Sequence, residues 1–349
     1  NWYGIRIRQK YNNISHFQKN MVNHNRLNGL PVLVTGANGF IGSHLVDALL
    51  EIGANVHLLT RAGTEIVRRE KENLKIHEAD FHDTNSIAKA VQITQPKIIF
   101  HLAASVNASR NHLLTNEMIR SNLIITMNLL RALELAGIKY ERFVNTDTSE
   151  VYGDNPVPFT ENMPLKPVSP YSASKAAATT FCDTFHTASG APITTLRLAP
   201  TYGPRQKIAG MLIPNLIHSG LTKSEFKTTK GEQTRDFTYI SDVVDAYLAA
   251  ATCNDAIGET INISCGAEHI VKDVILKIID LMGKPIQPQI GALPYRPGDV
   301  MRFFCDNSKA KRLLGWQPKT QLEDGLKKTI AWYEEKFVCG ELEKYVVKR

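Results

Sequence analysis

Tyr171 and Lys175 stand four residues apart, which on a helix sets both side chains on one face. A free tyrosine phenol ionises near ~10 and is a poor base at neutral pH. A neighbouring ammonium favours the phenolate and draws that value toward the working range. Thr148, Ser149 and Glu150 add a pair of hydroxyls and a carboxylate a short way upstream. The set suits removal of a proton from an alcohol. Y-x-x-x-K also occurs on surface helices by chance, so its meaning rests on what precedes it in the chain.

What precedes it is a phosphate cradle. Pro31 to Thr35 is a β-branched run, followed by Gly36-Ala-Asn-Gly39-Phe40-Ile41-Gly42 and a helical pattern through Leu50. Strand, glycine turn and helix together form the context of a dinucleotide site. Gly36 permits the tight turn, Gly39 the approach of a pyrophosphate, and Gly42 close packing of helix on strand. The helix start, with Phe40 and Ile41, then offers free N–H groups to phosphates.

The next strand, Asn55 to Thr60, ends in Arg61 rather than in an acid. An acid there would hold the ribose 2′-hydroxyl of NAD, whereas an arginine pairs with a 2′-phosphate. NADP is therefore mildly favoured over NAD. Further strands are expected at Leu74 to Ala79, Ile98 to Leu102, Phe143 to Thr146, Ile193 to Leu198 and near Thr260 to Ile263. Helical patterns lie between them, including 118–136 with Asn122, and later 241–252, 270–282 and 322–336. Alternating strand and helix implies an α/β fold, a doubly wound parallel sheet with helices on both faces. Its ligands bind at the carboxyl edge, where the fifth strand delivers Thr148 to Glu150.

Composition narrows the class. The 349 residues are 43% hydrophobic and 21% charged, as in a globular protein. Of the formal net charge of +7, residues 1–29 carry +5, because Arg6, Arg8, Lys10, Lys19 and Arg26 meet no acid there. The basic balance is thus a property of the tail and argues little for nucleic acid. The tail lacks an apolar stretch of the secretory type and reads as a disordered extension, with Met21 a candidate start. No run reaches a membrane span. The 5 cysteines are scattered without C-x-x-C, which fits reduced thiols in the cytoplasm.

Eight motifs now stand in order between residues 35 and 299: T-G-A-N-G-F-I-G, A-D-F, H-L-A-A, T-S-E-V-Y-G, Y-S-A-S-K, Y-G-P-R-Q, R-D-F-T-Y and R-P-G-D. With them the chain resembles the extended short-chain dehydrogenase/reductases, the NAD-dependent epimerase/dehydratase family that acts on nucleotide sugars. The likeness spans about residues 31–337. It implies a Rossmann-type domain, about 30–200 plus 235–265, and a smaller interleaved C-terminal domain, about 201–234 plus 266–340, that binds a nucleotide-diphosphate sugar. By the same likeness Asp80 and Phe81 hold the adenine, and Leu102, Ala103 and Ala104 lie along a tightly bound, recycled NAD or NADP. Tyr171 is the base, Lys175 holds the nicotinamide ribose, and Arg205, Arg235 and Arg296 grip the sugar diphosphate. A homodimer through the helices at 118–136 and 171–189 is also implied.

The implied chemistry begins with oxidation at C4 of the sugar, with Tyr171 taking the hydroxyl proton and Thr148 steadying the oxygen. A 4,6-dehydratase then needs a base at C5, which Glu150 supplies, and a proton for the departing hydroxyl from Ser149, Tyr171 or water. T-S-E thus leads to a nucleotide-sugar 4,6-dehydratase; UDP-glucuronate decarboxylase and UDP-sugar 4-epimerase are the alternatives. A non-catalytic NADP-sensing protein is the alternative of another class, against which the presence of Tyr171 and Lys175 speaks. The chain departs from the family in two places. Arg197-Leu-Ala-Pro200 lacks the substrate-contacting Asn of R-x-F-N, and Phe303, beside Arg302, stands where decarboxylases carry an arginine.

Overall fold

A computed structural model describes residues 24–64, 68–208, 210–283 and 286–347. A 7-stranded parallel sheet runs through the molecule. Its strands are β1 (Pro31–Thr35), β2 (Asn55–Thr60), β3 (Leu74–Glu78), β4 (Ile98–His101), β5 (Arg142–Thr148), β6 (Ile193–Leu198) and a last strand at Thr260–Ile263. In space the order is Thr260–Ile263, β6, β5, β4, β1, β2, β3. The chain therefore winds outward in one direction from β1 and then in the other from β4, the doubly wound arrangement the alternating pattern predicts. The central strands β1 and β4 are buried almost throughout, so their β-branched and aromatic residues read as continuous apolar runs.

Helices cover both faces. The Phe40–Ile52 helix packs between β1 and the Ile240–Thr252 helix, and is closed by Gly53 in the left-handed conformation. The Pro170–Ser189 helix starts with a reciprocal cap between Ser169 and Ser172, with Pro170 at its first position. The helix predicted at 118–136 runs from Thr115 to Leu135 and contains a π-helical turn, Ile119–Ile124. Such turns widen a helix locally and often mark functional positions. Here the turn holds Asn122, fully buried.

After β6 the chain leaves this layer. The helices Leu212–Thr222, Val271–Met282 and Leu322–Val338 pack on one another beside short two-stranded pairings. Their apolar faces belong to the same buried cluster as β1, β2 and the Ile240–Thr252 helix. The interleaved second unit is thus welded to the sheet by apolar packing.

The predicted disordered tail needs a correction at its end. His24–Leu27 forms a 3-10 turn, Leu27 is 1% exposed in the main core, and the Gly29 amide donates to the Gly53 carbonyl at 2.9 Å. One buried leucine in a basic, asparagine-rich stretch was enough to dock it. Residues 1–23 lie outside the described residues. Among the described residues no helix is long and apolar enough to cross a membrane.

Candidate active site

The reversal of strand order between β1 and β4 opens a cleft of about 550 Å³ at the carboxyl edge of the sheet. Gly36, Gly39 and Arg61 line it, as do the expected Asp80, Phe81, Leu102, Ala103 and Ala104. Thr60, Ser105, Glu117 and Ser121 line it too, and the sequence did not single them out. Gly36 has φ +73°, and a Cβ there would stand 2.7 Å from the Ala103 nitrogen. Only glycine fits both the turn and that approach. The Phe40–Ile52 helix has no side-chain cap at Gly39, which leaves first-turn N–H groups for an anion. Phe40 and Ile41 contribute that backbone, while their side chains pack on the core. Gly42 is buried at the back of the turn. A glycine cradle, a helix start and an apolar floor fit the pyrophosphate and adenosine of a dinucleotide.

The floor is held by His101 at the end of β4. Its Nδ1 lies 2.8 Å from Thr35 Oγ1 and its Nε2 2.9 Å from Thr126 Oγ1. Burial lowers its pKa to about 3, so the ring is neutral and serves as a hydrogen-bonding strut. Thr35 Oγ1 in turn accepts the Ala103 amide at 3.2 Å. Asn122 clamps the chain two residues further on: its Oδ1 accepts the Ser105 amide at 2.8 Å and its Nδ2 donates to Ser174 Oγ at 2.9 Å. The π-helical turn thereby ties the cleft wall to the helix that bears Tyr171 and Lys175.

Of the residues the sequence marked for chemistry, Thr148, Glu150 and Tyr171 come together. Thr148 ends β5, and Ser149–Tyr152 forms a 3-10 turn beyond it. Half-buried Tyr171 is hydrogen-bonded to Thr148 and feels the charge of Glu150, while Lys175 lies buried one turn on. Glu150 Oε1 accepts from Arg110 Nη1 at 2.7 Å and from Ser169 Oγ at 3.0 Å. The cap of the Pro170–Ser189 helix and the loop after β4 thus meet on one carboxylate.

Two expectations change here. Tyr171 was expected to be acidified by Lys175. Instead burial pushes the phenol up, Glu150 and Asp147 push the same way, and the Thr148 hydrogen bond opposes them. Lys175 is itself lowered by burial and supported by Asp147. Ser149 was a candidate acid. It is 1% exposed and donates to the Leu198 carbonyl at 2.9 Å, so its proton is committed inside the core.

Asp147 and Arg197 were missed. They face one another across the β5–β6 register, Arg197 Nε lies 2.9 Å from Asp147 Oδ2, and Arg197 Nη1 donates to Tyr152 Oη at 2.8 Å. Both are almost fully buried, and the Asp147 charge acts on Tyr171 and Lys175. The charged residue inside a strand was a signal, but its partner depends on a register the sequence does not state. Breaking such a pair from one side leaves an uncompensated charge. Arg197→Met is expected to lower stability by about 3–5 kcal/mol in urea unfolding. The double variant Asp147→Asn/Arg197→Met should recover part of that loss; if it recovers none, the ion pair is not the source.

The three arginines separate. Arg235 donates to Asp299 at 3.0 Å and to the Val300 carbonyl at 2.8 Å, and both Glu150 and Arg296 act on it electrostatically. Arg296 is exposed on the loop before Asp299. Arg205, expected on the sugar diphosphate, instead has its guanidinium on Asp47 of the Phe40–Ile52 helix at 2.6 Å, with Arg68 sharing that carboxylate. Phe303 is buried against Phe159, and Arg302 pairs with Glu268 at the surface. Neither supplies an arginine in the core of the site. Among the described residues no cluster of His, Cys, Asp and Glu is arranged to hold a metal.

Fold and site together define a Rossmann-type short-chain dehydrogenase/reductase with a Thr–Tyr–Lys centre. The chain belongs to the GDP-mannose 4,6 dehydratase family, whose model matches residues 33–329. It is 32% identical over 316 residues to the UDP-glucose 4-epimerase of Mycolicibacterium smegmatis, covering 87% of this chain and 98% of the relative. It is 31% identical over 330 residues to the dTDP-glucose 4,6-dehydratase of Haemophilus influenzae, covering 86% and 97%. The structure of Thermus thermophilus UDP-glucose 4-epimerase in complex with NAD is similar, with a TM-score of 0.77, 28% identity, and coverage of 87% and 98%.

Proposed function

We propose that the chain is a nicotinamide-dependent nucleotide-sugar 4,6-dehydratase. The observation that carries this reading is the Glu150 carboxylate, held by Arg110 and Ser169 beside Tyr171. A 4-epimerase only turns a 4-ketone over and needs no second base. Loss of water needs one at C5. The family match supports dehydration, and the Mycolicibacterium relative keeps epimerisation as the second reading. Decarboxylation is the weaker alternative, because Phe303 is core and Arg302 is tied to Glu268.

A nicotinamide dinucleotide, bound along Gly36, Gly39, Asp80, Phe81 and Ala103, supplies a reversible hydride acceptor for C4. Tyr171 takes the C4 hydroxyl proton and Thr148 steadies that oxygen. Positive charge from Lys175 must offset the Glu150 and Asp147 carboxylates for the phenol to serve as base. The resulting ketone acidifies the C5 proton, which passes to Glu150. Residues 201–234 and 266–340, with Arg235 and Arg296, form the proposed nucleotide-sugar domain. A homodimer and a cytoplasmic location complete the reading.

Mass spectrometry of products from a panel of nucleotide sugars tests it. Loss of water supports dehydration; loss of carbon dioxide or an unchanged mass with an altered sugar supports the other two reactions instead. The cofactor has its own test, motivated by Arg61, which is exposed at the cleft rim. Arg61→Ala should weaken NADP binding at least several-fold more than NAD binding in titrations. Wild-type preference for NAD, unchanged in the variant, would remove that role.

A further inference from the structure

We propose that Arg110 stabilises the departing C6 oxygen during loss of water, the place that Ser149 leaves open. The inference rests on the dehydratase reading above. Ser149 is turned into the core and its hydroxyl donates to the Leu198 carbonyl. Thr148 is occupied with Tyr171 and with the Glu150 amide. Lys175 is buried, 3% exposed, with its charge supported by Asp147. Arg110 is the cation that touches the proposed base.

Its donors are only partly used. Nη1 donates to Glu150 Oε1 at 2.7 Å and to the Ala108 carbonyl at 3.2 Å. Among the described residues Nη2 makes no hydrogen bond, and the side chain is 21% exposed while that of Glu150 is 18% exposed. Among the described residues Glu150 Oε1 carries both of that carboxylate's side-chain contacts, from Arg110 and from Ser169, which leaves Oε2 for substrate. The pair therefore presents an acceptor and a charged donor side by side. C5 and C6 are adjacent carbons, so a base at C5 and a donor beside that base match the two bonds that change.

The step balances without a further reactant. The C5–H bond breaks and its proton goes to Glu150 Oε2. The electron pair becomes the C5=C6 bond, and the C6–O bond breaks. The departing oxygen takes the same proton back from Glu150 and leaves as water. Arg110 transfers no proton, since a guanidinium stays charged. It offers Nη2 N–H groups where negative charge develops, as oxyanion donors do.

The test uses the full chain with Arg110→Met and Arg110→Lys, melting temperatures confirming that each variant is folded. The substrates are dTDP-glucose, GDP-mannose and UDP-N-acetylglucosamine, with their 6-deoxy-6-fluoro analogues, whose departing fluoride needs no proton but still gathers negative charge. Arg110→Met should lose about 10²–10³-fold in loss of water and a comparable factor in loss of fluoride, since a donor that stabilises charge serves both departures. Deuterium exchange at C5 of the 4-keto-6-deoxy product should stay close to wild type, because Glu150 remains. Arg110→Lys should recover part of the loss. A loss confined to the hydroxyl substrate, lost C5 exchange, or no loss at all would overturn the role in stabilising the group that departs from C6. A wild type that dehydrates none of the substrates overturns the dehydratase reading itself, which is a separate result.

Discussion

Tyr171→Phe is expected to slow product formation by about 10²–10⁴-fold while leaving the fold and cofactor affinity close to wild type. On the proposed mechanism the phenol meets the substrate hydroxyl, and the ring keeps its packing when the oxygen is removed. What is lost is the hydrogen bond to Thr148 and the proton acceptor. The loss should fall on the first step, so substrate-dependent nicotinamide reduction should vanish together with product. Thr148→Val should produce a smaller deficit in the same step, because it removes the partner and keeps the base. If Tyr171→Phe still reduces the nicotinamide at the wild-type rate, proton removal from C4 belongs to another group. Lys175→Met is a poorer test, since Lys175 is buried above Asp147 and its loss leaves that carboxylate balanced by Arg197 alone.

Much of the scaffold was legible because it depends on local pattern. β1, β2 and β6 have the bounds that their β-branched runs predict, and β3, β4 and β5 differ from expectation by a residue or two at their ends. Glycine conformations were also legible: Gly36 needs its positive φ and its bare Cα at the same place the spacing implies. The tail boundary was not legible, because the docking of Leu27 depends on a groove made by residues far along the chain. Side-chain direction at the end of β5 was not legible either. Thr148, Ser149 and Glu150 look like one cluster in sequence, but the 3-10 turn sends Ser149 inward to Leu198 while Glu150 reaches Arg110. Asp147 with Arg197, and Arg205 with Asp47, are long-range pairings in which the partner decides the role. An arginine inside a recognised motif, as Arg205 is in Y-G-P-R-Q, cannot announce that it is already committed. The electrostatics of Tyr171 follow the same rule. Spacing promised one nearby ammonium, while folding added burial and two carboxylates.

Glu150→Gln separates dehydration from the simpler chemistries, because it should affect two steps in opposite directions. Glutamine keeps the length and an acceptor for Ser169, and removes the charge and the base. Glu150 is one of the carboxylates that push the Tyr171 phenol up. Its neutralisation therefore lowers the pH at which the phenolate forms, so the acid limb of C4 oxidation should move to lower pH. Nicotinamide reduction on adding substrate should persist at neutral pH. Water loss should then stall by about 10²–10⁴-fold, the usual effect of removing a general base. Single-turnover absorbance would show this as reduced nicotinamide that accumulates and does not decay. In deuterated water the wild type should place deuterium at C5 of the product, and Glu150→Gln almost none. The variant also leaves Arg110 without its anionic partner, so a melting temperature near wild type is the required control. Turnover at the wild-type rate with full C5 labelling would show that Glu150 is an anchor for Arg110 and the Ser169 cap and not the base. Dehydration would then lose its main structural support, and 4-epimerisation, the reaction of the Mycolicibacterium relative, would be the better reading.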